Sequence, residues 1–308
     1  MNKDIVTGTL VTCLAVTVCA LAPIVGLMGS ALVPVPPAFY RVKLGDRGGW
    51  TVAAASMAYV VVLGGGLELL FFGSLIAMGV LMGEMMARRW PLEHMVAAVC
   101  GAIFGAGSVG LWVVGLATGR GFLGTLSDGV RQNLELTLSL YREMGLSPDQ
   151  IRFLESSMAV IEQVMVGMMP SLVIGSTLMA AWVSVLSLRT LFRRFGIPAP
   201  DYGALDHWKA PEVLVWPVIA CGVLLLLPSL VAKTVGLNGL IVLMVVYFFQ
   251  GMAIIAYFFQ KKRIPRIARI VLYALIALQQ IVMLGVIVVG FFDTWFNFRK
   301  IGKPPVPA

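Results

Sequence analysis

Long apolar runs recur along the whole chain, and short polar segments rich in lysine and arginine separate several of them. A helix needs about 20 mostly apolar residues to cross the hydrocarbon core of a bilayer. Eight segments meet or approach this length. We expect all of them to be helical, because unpaired backbone groups are costly in lipid. The predicted spans are 5–33, 49–65, 67–86, 95–117, 164–191, 213–231, 237–259 and 267–291.

Composition supports a polytopic helical membrane protein. Apolar types make up 59% of the 308 residues and charged types 12%, which cannot cover the surface of a water-soluble domain of this length. The fold class predicted is therefore all-α. We expect a four-span bundle over residues 1–117, an amphipathic helical connection over 118–163, and a second four-span bundle with a short basic tail over 164–308.

The first span is unusually long and contains Pro23, so we expect a kink or an early break there. Pro34, Pro36 and Pro37 follow, and proline is excluded from a helix interior. We expect an extended loop at the membrane surface, anchored by Phe39 and Tyr40 as interface aromatics. The gap between the second and third spans contains Gly64, Gly65 and Gly66, which predicts a tight helical hairpin.

Basic residues predict the orientation, since cytoplasmic loops are enriched in lysine and arginine. The gaps after spans one, three, five and seven hold fourteen of them, and the other side holds nine. This distribution favours both termini outside. The net charge of +8 follows from the same bias and from anionic headgroups, so we expect the lipid bilayer and no nucleic acid as a partner.

The connection 118–163 has an apolar stripe at helical spacing (Leu123, Leu126, Val130, Leu134, Leu138 and Tyr141). Gly145 can end this helix, and Ser147 with Gln150 predicts a capping box that opens the next one. Two interpretations remain open. The pair either lies on the bilayer or over the bundle, or it forms a lid or a partner-docking surface.

Polar residues inside the spans are the candidate binding residues. Glu68 either faces the bundle or lies at headgroup level. Gln250 makes an interhelical hydrogen bond or belongs to a ligand site. Glu84 and Arg88, four residues apart, predict a surface ion pair, and Asp293 with Arg299 predicts a local salt bridge beside Trp295.

Small residues at four-residue spacing predict close helix packing. They are Ala22, Gly26 and Ser30; Gly79 and Gly83; and Gly101 and Gly105. By contrast, no pattern predicts a metal site, a cofactor site, catalytic residues or an energy-coupling motif. We therefore expect a protein that is not an enzyme.

Several stretches resemble the YybS-like family of uncharacterised bacterial membrane proteins, a family named as a domain of unknown function. They are Gly79 to Gly83 through Arg88-Arg89, Trp208 to Trp216, Tyr247 with Gln250-Gly251, and the string Asp293-Thr294-Trp295-Phe296-Asn297-Phe298-Arg299-Lys300. The resemblance implies a multi-span protein of the bacterial inner membrane. It implies no known reaction or ligand residue.

The first four spans are similar, more distantly, to the substrate-binding subunits of energy-coupling-factor vitamin transporters. That resemblance implies a loop over the ligand, here Pro34 to Tyr40, and a small-residue face toward a membrane coupling subunit, here Ala22, Gly26 and Ser30. We expect a small-molecule-binding or permease subunit, with Pro34, Pro36, Tyr40, Glu68 and Gln250 as pocket candidates. The alternative is a non-transporting scaffold or assembly factor.

Overall fold

A computed structural model describes residues 2–22, 26, 29–64, 67–198, 200 and 202–300, with the backbone alone at 2, 67 and 68. Within these ranges the chain forms α-helices and short 3-10 turns and no strand, so the predicted all-α class is confirmed. The main helices are α1 Asn2–Leu21, α2 Val35–Leu63, α3 Leu67–Ala87, α4 Leu92–Thr118, α5 Gly121–Glu143, α6 Pro148–Phe195, α7 Val215–Leu226, α8 Leu230–Lys261, α9 Arg266–Leu278 and α10 Gln280–Phe296.

The chain divides into two compact units, Met1–Pro200 and Asp201–Ala308. The three regions predicted from the sequence, 1–117, 118–163 and 164–308, have boundaries that differ from those of the two units, and they stay a prediction. Five described helices are long and apolar enough to cross a membrane, and a bent pair can supply a sixth, so the count of eight spans is not confirmed. These are Lys3–Leu21, Leu69–Ala87, Leu92–Thr118, Pro148–Phe195, Leu230–Lys261 and the pair Arg266–Leu278 with Gln280–Phe296.

The first predicted span, 5–33, is not one continuous helix. Helix α1 ends at Leu21, while Pro23 itself lies outside the described residues. Lys43 Nζ then donates to Asp4 Oδ1 at 2.8 Å, and Gly8 lies against the ring of Tyr40. The chain has therefore returned to the end where it began. The distribution of basic residues predicts that the N-terminus and the basic segment 41–47 lie on opposite sides of the membrane. That prediction is wrong, because the chain reverses its direction after one long apolar run.

The prolines after residue 33 begin a helix. Pro34 is the N-cap of α2, and Pro36 and Pro37 lie in its first turn. The first backbone N–H groups of a helix have no intrahelical acceptor, so proline loses nothing there. The predicted surface loop is wrong for this reason. Phe39 and Tyr40 are buried and do not face the interface.

Helix α2 reverses within its length at Gly45, whose φ of +72° is non-helical. Beyond this kink it runs parallel to α1, since Tyr59 Oη lies 2.6 Å from Thr17 Oγ1. It then packs on α3, where the two helices share a core with α1 (Val16, Val33, Ala53, Val60, Phe72, Ile76 and Val80). The predicted hairpin of α2 and α3 is confirmed; Gly65 and Gly66 of its turn lie outside the described residues.

The amphipathic connection forms the predicted helical pair. Gly145 has a φ of +79° after α5, and Ser147 and Gln150 form both hydrogen bonds of the capping box that opens α6. Helix α6, however, does not end near residue 163. It continues for 48 residues, about 72 Å at 1.5 Å per residue, more than twice the hydrocarbon thickness. Its charged first turns therefore extend beyond the membrane core.

The second unit contains shorter, interrupted helices. Helix α7 stops at Leu226 before Pro228, and Ser229 caps α8 by accepting from the N–H of Ala232. The predicted span 213–231 is wrong because it crosses this break. The predicted span 267–291 is also interrupted: α9 and α10 meet at Gln279, in extended conformation, with a bend of 100°.

Candidate functional site

Helices α8 and α10 approach closely because each has a glycine at their crossing. A methyl group at Gly290 would overlap the carbonyl oxygen of Tyr247, and one at Gly251 would overlap that of Val286. Contact of this kind between backbones requires residues without a side chain. The crossing brings Gln250 of α8 beside Asp293 of α10, near the end of the second helix.

A charged cluster fills this crossing. Asp293 accepts hydrogen bonds from Gln250 Nε2 at 3.2 Å, from Arg299 Nη2 at 2.9 Å and from the N–H of Phe298 at 2.8 Å. Gln250 and Asp293 are 0% exposed and Arg299 is 4% exposed. The predicted salt bridge of Asp293 and Arg299 is thus confirmed, and it lies fully inside the protein. The interhelical hydrogen bond predicted for Gln250 is also confirmed.

A left-handed turn places Arg299 in the cluster. Helix α10 ends at Phe296, and Asn297 follows with a φ of +41°, which turns the chain back toward Asp293. Trp295 packs edge-on against Phe291 at 4.9 Å between ring centroids. The predicted aromatic anchoring beside this salt bridge is therefore present.

The loop before α7 contacts the charged cluster from another side. Arg299 Nη1 donates to the carbonyl oxygens of Asp206 at 2.7 Å and Trp208 at 3.0 Å, and the N–H of Ala210 donates to Gln250 Oε1 at 3.3 Å. Four segments of the second unit meet at one ion pair. In the same loop, burial raises the pKa of the Tyr202 hydroxyl to about 12, so this group stays neutral at physiological pH.

Two polar groups beside the cluster lack hydrogen-bond partners among the described residues. They are the hydroxyl of Tyr247, one turn before Gln250 on α8, and Nε of Arg299. Buried polar groups without a partner are uncommon and call for a bound molecule or another role. Both atoms are buried, so a ligand reaches them only if the cluster opens.

The candidate pocket residues belong to different units. Pro34, Pro36 and Tyr40 belong to the first unit, where Tyr40 packs against Gly8 and Phe39. Gln250 belongs to the second unit. The backbone of Glu68 is in the first turns of α3, and its side chain lies outside the described residues.

The small-residue candidates differ in their surroundings. A methyl group at Gly79 would overlap the carbonyl oxygen of Pro34, and one at Gly83 would come within 2.8 Å of that of Ala38, so α3 packs on the start of α2. Gly26, which lies between Ala22 and Ser30 in the sequence, packs against the carbonyl of Cys19 near the end of α1. Gly101 and Gly105 have nothing within 4 Å of an added methyl. Contacts within the first unit therefore account for Gly26, Gly79 and Gly83 without a partner chain.

A second charged cluster was missed from the sequence. The predicted pair of Glu84 and Arg88 is confirmed, with Arg88 Nε 2.7 Å from Glu84 Oε1. Glu84 also accepts from Arg41 Nε at 2.9 Å, and Arg41 pairs in addition with Asp46. The kink at Gly45 makes this geometry possible. No local spacing links residues 41 and 84, so the sequence offers no signal for the pair.

Comparisons with known proteins agree with the membrane fold. A family model described as "Predicted membrane protein (DUF2232)" matches residues 10–294. The chain is 22% identical over 287 residues to the uncharacterised protein YybS of Bacillus subtilis, covering 90% of each chain. The predicted resemblance to a YybS-like family is confirmed. No solved structure matches the chain. The likeness to energy-coupling-factor subunits stays a prediction.

Proposed function

We propose that this chain, which belongs to the DUF2232 family of predicted membrane proteins, is a small-molecule-binding or permease subunit of the bacterial plasma membrane that works with partner subunits. The observation that carries the proposal is the cluster of Gln250, Asp293 and Arg299 enclosed in the second unit. The proposal gives the cluster a binding role and no catalytic one.

The cost of burying charge motivates a functional interpretation. Removing an ion pair from water costs several kcal/mol per ion, and apolar side chains of similar volume often stabilise a fold equally well. Ionisable groups within membrane helices commonly belong to substrate or ion pathways. The full enclosure of this pair therefore favours a role beyond packing.

The surroundings of the cluster fit a binding role. The Tyr247 hydroxyl and Arg299 Nε have no partner among the described residues and can hydrogen-bond a polar ligand. The joint at Gln279 lies 14 residues, about 21 Å, along α10 from Asp293. Permeases commonly place ligand sites in bundles with such discontinuous helices.

A ligand screen tests the proposal. The purified chain in detergent is heated with each member of a panel of water-soluble vitamins and cofactors, and unfolding is followed by tryptophan fluorescence. We expect at least one compound to raise Tm, since a ligand at 100 times its Kd stabilises by about 2.7 kcal/mol. The variant Tyr247→Phe should lose that response.

Tyr273→Phe is the matched control, because Tyr273 is a half-buried tyrosine of the same unit that packs on Phe259. It should keep the response of the wild type. A flat response of the wild type across the panel would contradict the proposal. An equal response in Tyr247→Phe would move the ligand away from this cluster.

One observation favours the alternative role of scaffold or assembly factor. The hairpin of α5 and α6 exposes large apolar side chains near its tip, among them Met144 and Phe153. A groove of about 620 Å³ lies beside them, lined by Tyr141, Leu146, Asp149, Gln150, Phe153 and Leu154. A docked partner chain would cover this apolar surface.

Co-purification distinguishes the two roles. A scaffold should bring down a stable membrane partner without a nucleotide-binding subunit, and Met144→Ser with Phe153→Ser should release it. Leu123→Ser is the control, since Leu123 is an equally exposed apolar residue at the other end of α5. Loss of the partner from both variants alike would argue against docking at the tip.

A further inference from the structure

One end of the first unit concentrates basic residues. The ion pair of Asp4 and Lys43 joins the start of α1 to this end, and Glu84 joins the end of α3 to it through Arg41. Phe192, near the end of α6, stacks on Phe39 at 5.6 Å between ring centroids. The cations gathered here are Lys3, Arg41, Lys43, Arg47, Arg88, Arg89, Arg193 and Arg194.

The members of this set differ in their partners. Arg41, Lys43 and Arg88 each pair with a carboxylate. Arg47 and Arg89 are exposed and form no ion pair with any residue that the structure describes. Both adjoin the Arg41 cluster, because Arg47 follows Asp46 and Arg89 follows Arg88. Two guanidinium groups without an ion pair therefore adjoin Arg41, whose charge Glu84 and Asp46 already balance.

Arg89 is held in an unusual backbone conformation. Its φ is +55°, a region that usually takes glycine or asparagine at a helix end. Its N–H donates to the carbonyl of Met86 at 3.0 Å, and that of Trp90 donates to Met85 at 3.0 Å, which fixes the turn. The turn therefore holds a charged side chain at a position where glycine would be less strained.

Two tryptophans indicate the depth of these arginines in the membrane. Trp50 lies one turn beyond Arg47, and Trp90 directly follows Arg89; both are exposed. Exposed tryptophan favours the headgroup level of a bilayer. Arg47 and Arg89 thus lie where lipid phosphates are concentrated, which favours a lipid over a soluble phosphate as their partner.

We propose that Arg47 and Arg89, supported by Arg88, bind the phosphate of an anionic phospholipid in the cytoplasmic leaflet. A guanidinium group donates two parallel hydrogen bonds to phosphate oxygens, which suits this headgroup. The opposite end of the unit carries the segment 118–163, with six acids and four arginines, and lacks this excess of positive charge. The anionic leaflet is the cytoplasmic one, so the N-terminus is inside.

Native mass spectrometry tests the lipid site. The full chain is reconstituted in nanodiscs of phosphatidylglycerol and phosphatidylcholine, released, and its retained lipids are identified. We expect phosphatidylglycerol to be retained in preference, and Arg47→Gln with Arg89→Gln to lose at least one copy per chain. Each single variant, measured separately, should lose part of that retention. Arg152→Gln, an exposed arginine of the acidic segment, is the control and should match the wild type.

Three results would overturn the proposal. Equal phosphatidylglycerol retention in the double variant would remove these arginines from the site, and equal retention of phosphatidylcholine would remove the charge requirement. Displacement of the lipid by millimolar inorganic phosphate would show a soluble-phosphate site. The leaflet has its own test: Asn2→Cys in a background without Cys13, Cys19, Cys100 and Cys221 should react with an impermeant thiol reagent in opened cells and not in intact cells.

Discussion

Among the residues that the structure describes, each unit contains one almost completely buried arginine, and the two differ in how their charge is balanced. Arg299 in the second unit pairs with Asp293, which is 0% exposed. Arg41 in the first unit is 2% exposed, but its partners Glu84 and Asp46 are 19% and 85% exposed. The pair of Arg299 and Asp293 is closed to water, whereas the pairs of Arg41 are open to it. A closed pair depends entirely on its own members, whereas water and neighbouring charges can replace a partner in an open one.

The largest effect is expected when the closed pair loses its acid. Asp293→Asn leaves Arg299 buried without a counter-charge, which typically costs about 3–5 kcal/mol. Thermal unfolding in detergent, followed by tryptophan fluorescence, measures the loss. The double variant Asp293→Leu with Arg299→Met removes both charges and should recover much of the stability. A single variant as stable as the wild type would show that water reaches this pair.

The open pair should respond less to the equivalent change. Glu84→Gln leaves Arg41 beside Asp46 and weakens hydrogen bonds to a charged group, at a cost of about 1.5–3 kcal/mol. The same unfolding measurement applies. Because Arg88 is released at the same time, Arg88→Gln is the control and should change stability by less than Glu84→Gln. A loss as large as that of Asp293→Asn would remove the distinction between the two sites.

Only part of this contrast could be predicted from the sequence. The spacing of Asp293 and Arg299 predicts their salt bridge, and that of Glu84 and Arg88 predicts theirs, because these pairs are local. Arg41 and Gln250 reach their partners over 43 residues each, through a kink at Gly45 and a glycine crossing. Long-range pairing of this kind depends on helix packing, which apolar runs do not specify.

The errors in the predicted spans have one common cause. Hydropathy reports whether a segment is apolar and is insensitive to reversals within it. The return of the chain between Leu21 and Arg41, and the joint at Gln279, both lie within apolar runs. By contrast, the capping box of Ser147 and Gln150 was predicted correctly, because its hydrogen bonds form between residues three positions apart.

Packing around the closed pair can be tested separately from its charge. Gly290→Ala places a methyl group against the carbonyl of Tyr247 and should push α8 and α10 apart, at about 1–3 kcal/mol. Gly285→Ala, on the same helix with open space around it, should be neutral or slightly stabilising. Comparison of the two unfolding midpoints gives the result. Equal midpoints would contradict the close crossing.

The smallest effect is expected at the exposed member of the open pair. Asp46→Asn removes a carboxylate that is already 85% exposed, so the loss should be about 0.2–1 kcal/mol. It should shrink further as salt is raised, since exposed charges are screened. Unfolding midpoints at low and high ionic strength measure both quantities. A loss that is large and independent of salt would mean that Asp46 is enclosed.

A double-mutant cycle on Asp293 and Arg299 tests the enclosed cluster most directly. The free energies of unfolding of the wild type, Asp293→Asn, Arg299→Gln and the double variant give the coupling between the two residues. For a closed, fully buried pair we predict a coupling of about 2–3 kcal/mol, so that the second substitution costs little once the first is made. Additive effects, within about 0.5 kcal/mol, would contradict the enclosed ion pair on which the proposed binding role depends.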